Sequence, residues 1–144
     1  MASLEDLKEL AATEQGLCVV SSTRPDGSVH SSVVNAGIMS HPRTGEEVVA
    51  LVAVGGARKV ALMTSSGRGC VTFRRGWQWA SAEGNAEVTQ VNKPVGDVEY
   101  PQLLRDVFVA AGGTHDDWET YDQVMADDGR IVVFITIDRI LSNR

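Results

Sequence analysis

Hydrophobic and polar positions along the chain change period several times, and each period predicts an element. Leu4, Leu7, Leu10 and Ala11 recur at helical spacing behind Ser3-x-x-Asp6, a capping-box pattern with Asp in place of Glu or Gln. Residues 3–14 therefore predict a short amphipathic helix that Gly16 stops. Leu17 to Thr23 and Ser28 to Ala36 are strand-like runs flanking Arg24-Pro25-Asp26-Gly27. Proline presets φ there, and Asp and Gly supply the remaining turn chemistry, which predicts a hairpin. After a break at Ser40 to Gly45, Val48 to Val54 is apolar without alternation, the pattern of a strand covered on both sides.

Ala57 to Ser66, between Gly55-Gly56 and Gly67, predicts a short helix with an apolar face through Val60, Leu62 and Met63. Cys70 to Arg74 and Trp77 to Val88 follow as strands around a turn at Arg75-Gly76. In the longer strand Trp77, Trp79, Ser81 and Glu83 share one face, and Gln78, Ala80, Ala82, Gly84 and Ala86 the other. That small-residue face admits either a tightly packed neighbouring helix or a flat ligand. Residues 97–111 predict a helix with Asp97 as its cap, Pro101 in the first turn and a stripe of Tyr100, Leu104, Val107, Phe108 and Ala111. Gly112-Gly113 ends it. Thr114-x-x-Asp117 opens another helix carrying Trp118, Tyr121 and Met125, and Arg130 to Asp138 forms a closing strand. Six strands with short helices, and no linker or repeat, predict one domain over 1–144. The expected class is mainly β (α+β), an antiparallel barrel, closed or nearly so, with peripheral helices.

Composition narrows the function classes. At 43% hydrophobic and 22% charged, the 144 residues suit one soluble globular domain. No apolar run approaches the ~18 residues of a membrane span. Met1 to Asp6 carries acids where a leader peptide has basic and apolar residues, so a cytoplasmic location is expected. Cys18 and Cys70 have no partners at metal-ligand spacing, so no metal site is expected and both read as small buried hydrophobes. A net charge of −6 disfavours generic binding to nucleic acid. The acids are not evenly spread: Val48 to Ala82 holds none, while Arg58, Lys59, Arg68, Arg74 and Arg75 all fall there. A basic region on an acidic protein suits a compact anionic ligand; the alternative is a solvated basic face.

Self-contained catalytic machinery is not visible. There is no nucleophile elbow, zinc-binding His pair or Walker loop, and His30, His41 and His115 read as surface or capping residues. An enzyme with this inventory takes its chemistry from a bound cofactor. Gly55-Gly56-Ala57-Arg58-Lys59 is the most suggestive segment. Glycines before a helix let backbone N–H groups approach an anion. Two cations at a helix N-terminus oppose the macrodipole unless an anion compensates them.

Taken together, Arg24-Pro25-Asp26-Gly27, Ser31-Ser32-Val33-Val34-Asn35, Arg58-Lys59, Gly76-Trp77 and Ala82-Glu83-Gly84 carry a family resemblance from about Leu4 to Ile140. They resemble the split β-barrel flavin-binding superfamily that includes the pyridoxamine 5′-phosphate oxidases (the PNPOx-like FMN-binding fold). His115-x-Asp117-Trp118-x-x-Tyr121-x-x-x-Met125 is similar, more closely, to the actinobacterial coenzyme F420 (deazaflavin)-dependent reductases. The resemblance implies a homodimer with two cofactor sites at its interface. It implies an F420-dependent oxidoreductase moving a hydride between the deazaflavin and a small electron-poor substrate. FMN-dependent oxidoreduction, or a non-catalytic carrier of F420 or haem, are the alternatives. The cofactor ring is expected against Val33, Val34 and Asn35 and the strand after Glu47, at Val52. Ala57, Arg58 and Lys59 would grip the phosphate and the anionic tail. Trp77 and Gln78 would line the site, from the partner chain in some relatives, and Arg130 is a further candidate. Two departures stand out: the chain ends Ile140-Leu141-Ser142-Asn143-Arg144, without the Arg-Leu-x-Pro-type ending of the vitamin B6 oxidases, and Ala61 replaces an Asn of many deazaflavin relatives.

Overall fold

Strand pairing builds the molecule around a ring of six strands. The structure, a computed structural model, describes residues 2–144, and Met1 lies outside the described residues. In chain order the elements are α1 (Leu4–Thr13), β1 (Leu17–Thr23), β2 (Val29–Ser40), β3 (Glu47–Val54), α2 (Arg58–Ser66), β4 (Arg68–Arg75), β5 (Gln78–Val88), α3 (Tyr100–Ala110), α4 (Trp118–Asp127), β6 (Arg130–Thr136) and β7 (Arg139–Ser142). The sheet runs β4-β1-β2-β3-β6-β5-β7, and an added β4–β5 pairing closes the ring. Two strands change partners midway and so split the barrel. β2 pairs with β1 through Val29–Asn35 and with β3 through Ala36–Ser40, all antiparallel. β5 pairs with β4 through Gln78–Asn85 and with β6 through Ala86–Val88.

The barrel is filled by alternate side chains of its strands and stoppered by helices. Val20, Val49, Leu51, Val71, Phe73, Ala80, Ala82, Val133 and Ile135 form one core with Leu7 and Leu10 of α1 and Val60 and Met63 of α2. The small-residue face of β5 thus packs inside the barrel. A second core covers the outside of β3 and β6. There Val48, Ala50, Val132 and Phe134 meet Tyr100, Leu103, Leu104 and Val107 of α3 and Tyr121 of α4. That explains the unbroken apolar run at Val48, since alternate residues serve different cores.

Several boundaries depart from the sequence reading. The third helix begins at Tyr100, not near Asp97, because Val95 and Val98 exchange backbone hydrogen bonds around a tight turn that contains Asp97. Glu99 occupies the cap position, with no side-chain bond to the helix. The fourth helix is capped by Asp117, whose carboxylate accepts the Thr120 N–H, rather than by Thr114. The closing strand stops at Thr136, and a seventh strand adds to β5. His41, expected as a surface or capping residue, is buried at 4% exposure and caps its loop from inside. Its Nδ1 accepts the Arg43 N–H at 3.1 Å, and its Nε2 lies 2.9 Å from the Glu87 carboxylate that Arg43 also grips. Cys18 is buried as expected, and burial pushes its thiol up to about 12. Cys70 is only half-buried.

Candidate cofactor-binding site

A cleft of about 680 Å³ opens where the barrel rim meets the loop between α3 and α4. One wall is β2 at Val33, Val34 and Asn35, continued by the end of β3 at Val52, Ala53 and Val54. Asn35 is held by its side-chain amide, which donates to the Gln15 carbonyl at 2.9 Å. Gln15 itself takes a left-handed conformation, φ 53°, and is followed by Gly16 at φ 74°. The opposite wall is the end of α3 with Gly112, Gly113 and Thr114, together with Tyr121 and Met125 of α4.

Glycines bring the two walls this close. A Cβ on Gly37 would sit 2.6 Å from the Ala111 nitrogen and nearer still to the Ala110 carbonyl. One on Gly16 would sit 2.7 Å from the Ala111 oxygen, with the Ala36 oxygen closer. The C-terminus of α3 therefore rests directly on the backbone of β2, an approach that only glycine permits. Behind it, the Phe108 and Tyr121 rings pack at a tilt with centroids 5.0 Å apart, and the Tyr121 hydroxyl donates to the Leu104 carbonyl at 3.0 Å. Burial, and secondarily Asp122, pushes that hydroxyl up to about 12, while nearby Arg130 works in the opposite direction.

Among the described residues two ionised side chains line the cleft, Lys59 and Arg130, and both are cations. Lys59 is half-buried in the first turn of α2. That helix starts without a side-chain cap, since Ala57 has none to offer, and no acid stands in its first turn. An anion placed there would meet uncapped N–H groups, the positive end of the helix and an ammonium. Neither Arg58 nor Lys59 forms an ion pair among the described residues. Arg68, by contrast, pairs with Asp138 at 3.2 Å, and Arg74 donates to the Gly76 carbonyl. The basic window of the sequence is thus dispersed rather than one face.

Of the residues singled out from sequence, Val33, Val34, Asn35, Val52, Ala57 and Lys59 come together around the cleft. Arg58 is exposed beside it without lining it. Trp77 and Gln78 lie elsewhere in the protomer. Trp77 is 93% exposed at the β4–β5 turn, in a separate hollow with Arg74 and Trp79, and Gln78 accepts a hydrogen bond from Arg144. Sequence reasoning missed the α3–α4 wall. Phe108 and Tyr121 read as core stripe and Gly112-Gly113 as a helix stop, although paired glycines after an aromatic helix end were a usable signal.

The lining combines apolar walls with a cationic, uncapped helix end, a donor set that suits an apolar group carrying a phosphate or other anion. No family model matches the sequence, and no curated protein matches it. Solved structures do. A conserved hypothetical protein of Mycobacterium tuberculosis superposes with a TM-score of 0.72 at 18% identity, covering 99% of this chain and 84% of that one. A Clostridium acetobutylicum protein of the pyridoxine phosphate oxidase family, related to general stress protein 26, gives 0.64 at 15%, covering 98% and 87%. HutZ, the haem storage protein of Vibrio cholerae, gives 0.61 at 8%, covering 98% and 94%. Identities this low carry the fold alone, and on that evidence the chain is a split β-barrel of the architecture found in the pyridoxine phosphate oxidase family.

Proposed function

We propose that this chain is an oxidoreductase whose cleft holds a flavin-type cofactor with an anionic side chain, coenzyme F420 in preference to FMN, in a homodimer. The observation that carries the reading is the charge of the cleft. In a protein of net charge −6, the lining contains two cations and no acid. When bound, such a cofactor supplies hydride transfer to a small electron-poor substrate. The chain's own part is to bind and to exclude water. Lys59 and the open first turn of α2 hold the phosphate, while Val33, Asn35 and the Gly112-Gly113 wall orient the ring.

The dimer is supported by the outer face of the β1–β2 hairpin. Leu17, Val19, Val29 and Val33 are 45%, 39%, 59% and 64% exposed on the same face of the hairpin. Val33 also lines the cleft, so a second copy docked there would lie beside the cofactor. The haem-storage alternative has less support. Haem iron takes His, Cys, Met or Tyr ligands, and the lining offers only Met125 and a Tyr121 whose hydroxyl is committed to Leu104.

Fluorescence titration with F420, FMN and haem tests the reading. Saturable binding of F420, tighter than FMN and weakened tenfold or more by Lys59→Gln, is expected. Saturation by haem alone, or by none of the three, would overturn it.

A further inference from the structure

The cofactor reading counts Arg130 toward the charge of the cleft but gives its guanidinium no contact. Arg130 is the first residue of β6, opposite Val54, and the adjoining Gly129 carbonyl accepts the Gly55 N–H at 3.0 Å. Its backbone is therefore fixed beside the end of β3 that leads into α2, and its side chain lines the cleft. Its Nε is sealed from solvent and has no hydrogen-bond partner. Among the described residues it pairs with Asp128, which reaches an Nη only at 3.5 Å, the weak limit of a hydrogen bond, and is itself half-exposed. The side chain is one-third exposed, so its Nη groups stay open to a ligand oxyanion that the long contact with Asp128 leaves room for. The surroundings say what kind of ligand. Phe108, Tyr121 and Met125 form an aromatic and thioether wall, and the Tyr121 hydroxyl is turned away to Leu104. The wall thus offers apolar surface, and Arg130 offers a planar fork that matches a carboxylate better than a point charge does.

We propose that Arg130 anchors the carboxylate of a flat, apolar carboxylic acid that lies against Phe108, Tyr121 and Met125, and that this acid is the substrate class of the cleft. Its role as substrate rests on the oxidoreductase reading, but the binding preference does not. The other source of an oxyanion is the cofactor's own tail, so the experiment has an arm for each.

The test uses 2-naphthoate and 2-naphthamide, followed by their own fluorescence on titration with the full chain. Wild-type protein binds the acid at least tenfold more tightly than the amide. Arg130→Gln brings the two within twofold, and Arg130→Lys keeps part of the preference. Equal melting temperatures of the variants confirm that they fold. Binding of neither probe, equal binding of both by wild type, or a preference that survives Arg130→Gln would overturn the proposal. In the second arm F420 and FMN are titrated against Arg130→Gln. Affinity within threefold of wild type assigns Arg130 to the substrate. A loss as large as that of Lys59→Gln assigns it to the cofactor tail and overturns the proposal. If wild type binds no cofactor yet prefers the acid, the oxidoreductase reading fails while the anion site stands.

Discussion

Replacing Gly37 by Ala tests the contact that shapes the cleft. The added Cβ would lie 2.6 Å from the Ala111 nitrogen and closer to the Ala110 carbonyl, where ordinary contact begins at 3.4 Å. All of these atoms are backbone, so no rotamer change relieves the clash, and β2 and the end of α3 must separate by roughly 1 Å. Overpacking of this kind costs about 1–3 kcal/mol, and the absence of any yielding side chain puts Gly37→Ala at about 3 kcal/mol. For a domain of this size that is a fall in Tm of about 6–12 °C. Gly56→Ala is the control. Nothing lies within 4 Å of its Cβ and its φ is not positive, so a change below about 1 kcal/mol, in the stabilising direction, is expected. Thermal unfolding followed by circular dichroism reads both. Cofactor titration of Gly37→Ala at 20 °C below its own Tm should show weaker binding, because the Gly112-Gly113 wall moves with α3. A Gly37→Ala protein melting within 2 °C of wild type would refute the argument that this approach fixes the wall.

Three further outcomes are expected. Tyr100→Phe removes the hydroxyl that accepts the Val132 N–H at 3.0 Å and bonds Thr89 at 2.9 Å in a buried site, so urea denaturation should show a loss of about 1–3 kcal/mol. Hydrogen bonds from the Thr120 hydroxyl and N–H hold the Asp117 carboxyl below its ordinary 3.8. A depressed folded value means the stabilisation is full above the ordinary value and is lost as pH falls through the lowered one. Hydrogen exchange of α4 amides should therefore accelerate below about pH 4 beyond its intrinsic rate, and Asp117→Ala should abolish that pH dependence. Val29→Glu places like charges on the outer face of the hairpin, so sedimentation velocity should find wild type dimeric and the variant monomeric with an unchanged circular dichroism spectrum. A monomeric wild type would remove the dimer from the account.

What was legible in the sequence follows the physics of period and punctuation. The barrel was readable because its strands alternate or run apolar for identifiable reasons, and because Asp26-Gly27, Gly67 and Gly129 mark the turns. β2 was read four residues short because its alternation stops at Ala36, where the strand leaves β1 for β3 and both Ala36 and Gly37 become buried. β7 was hidden because Ile137-Asp138 interrupts an apolar run too briefly to look like a break, yet it redirects the chain onto β5. The helix starts at Tyr100 and Trp118 were misplaced because each has a competing capping residue upstream. Asp97 lies within the Val95–Val98 turn, and Thr114 precedes a loop in which His115 accepts the Asp117 N–H. At the candidate site, Ala57 and Lys59 followed from local glycine and charge chemistry. The far wall depends on α3 lying across β2, a contact between residues 37 and 110 that no local pattern encodes.

Chemical-shift mapping of the nitrogen-15-labelled protein during titration with F420, and separately with FMN, tests the central claim most directly. Saturable shifts concentrated at Val33–Asn35, Ala57–Lys59 and Gly112–Gly113, with Lys59→Gln weakening the titration at least tenfold, are the predicted result. Shifts confined to other surfaces, or none that saturate with either cofactor, would contradict the assignment of the cleft.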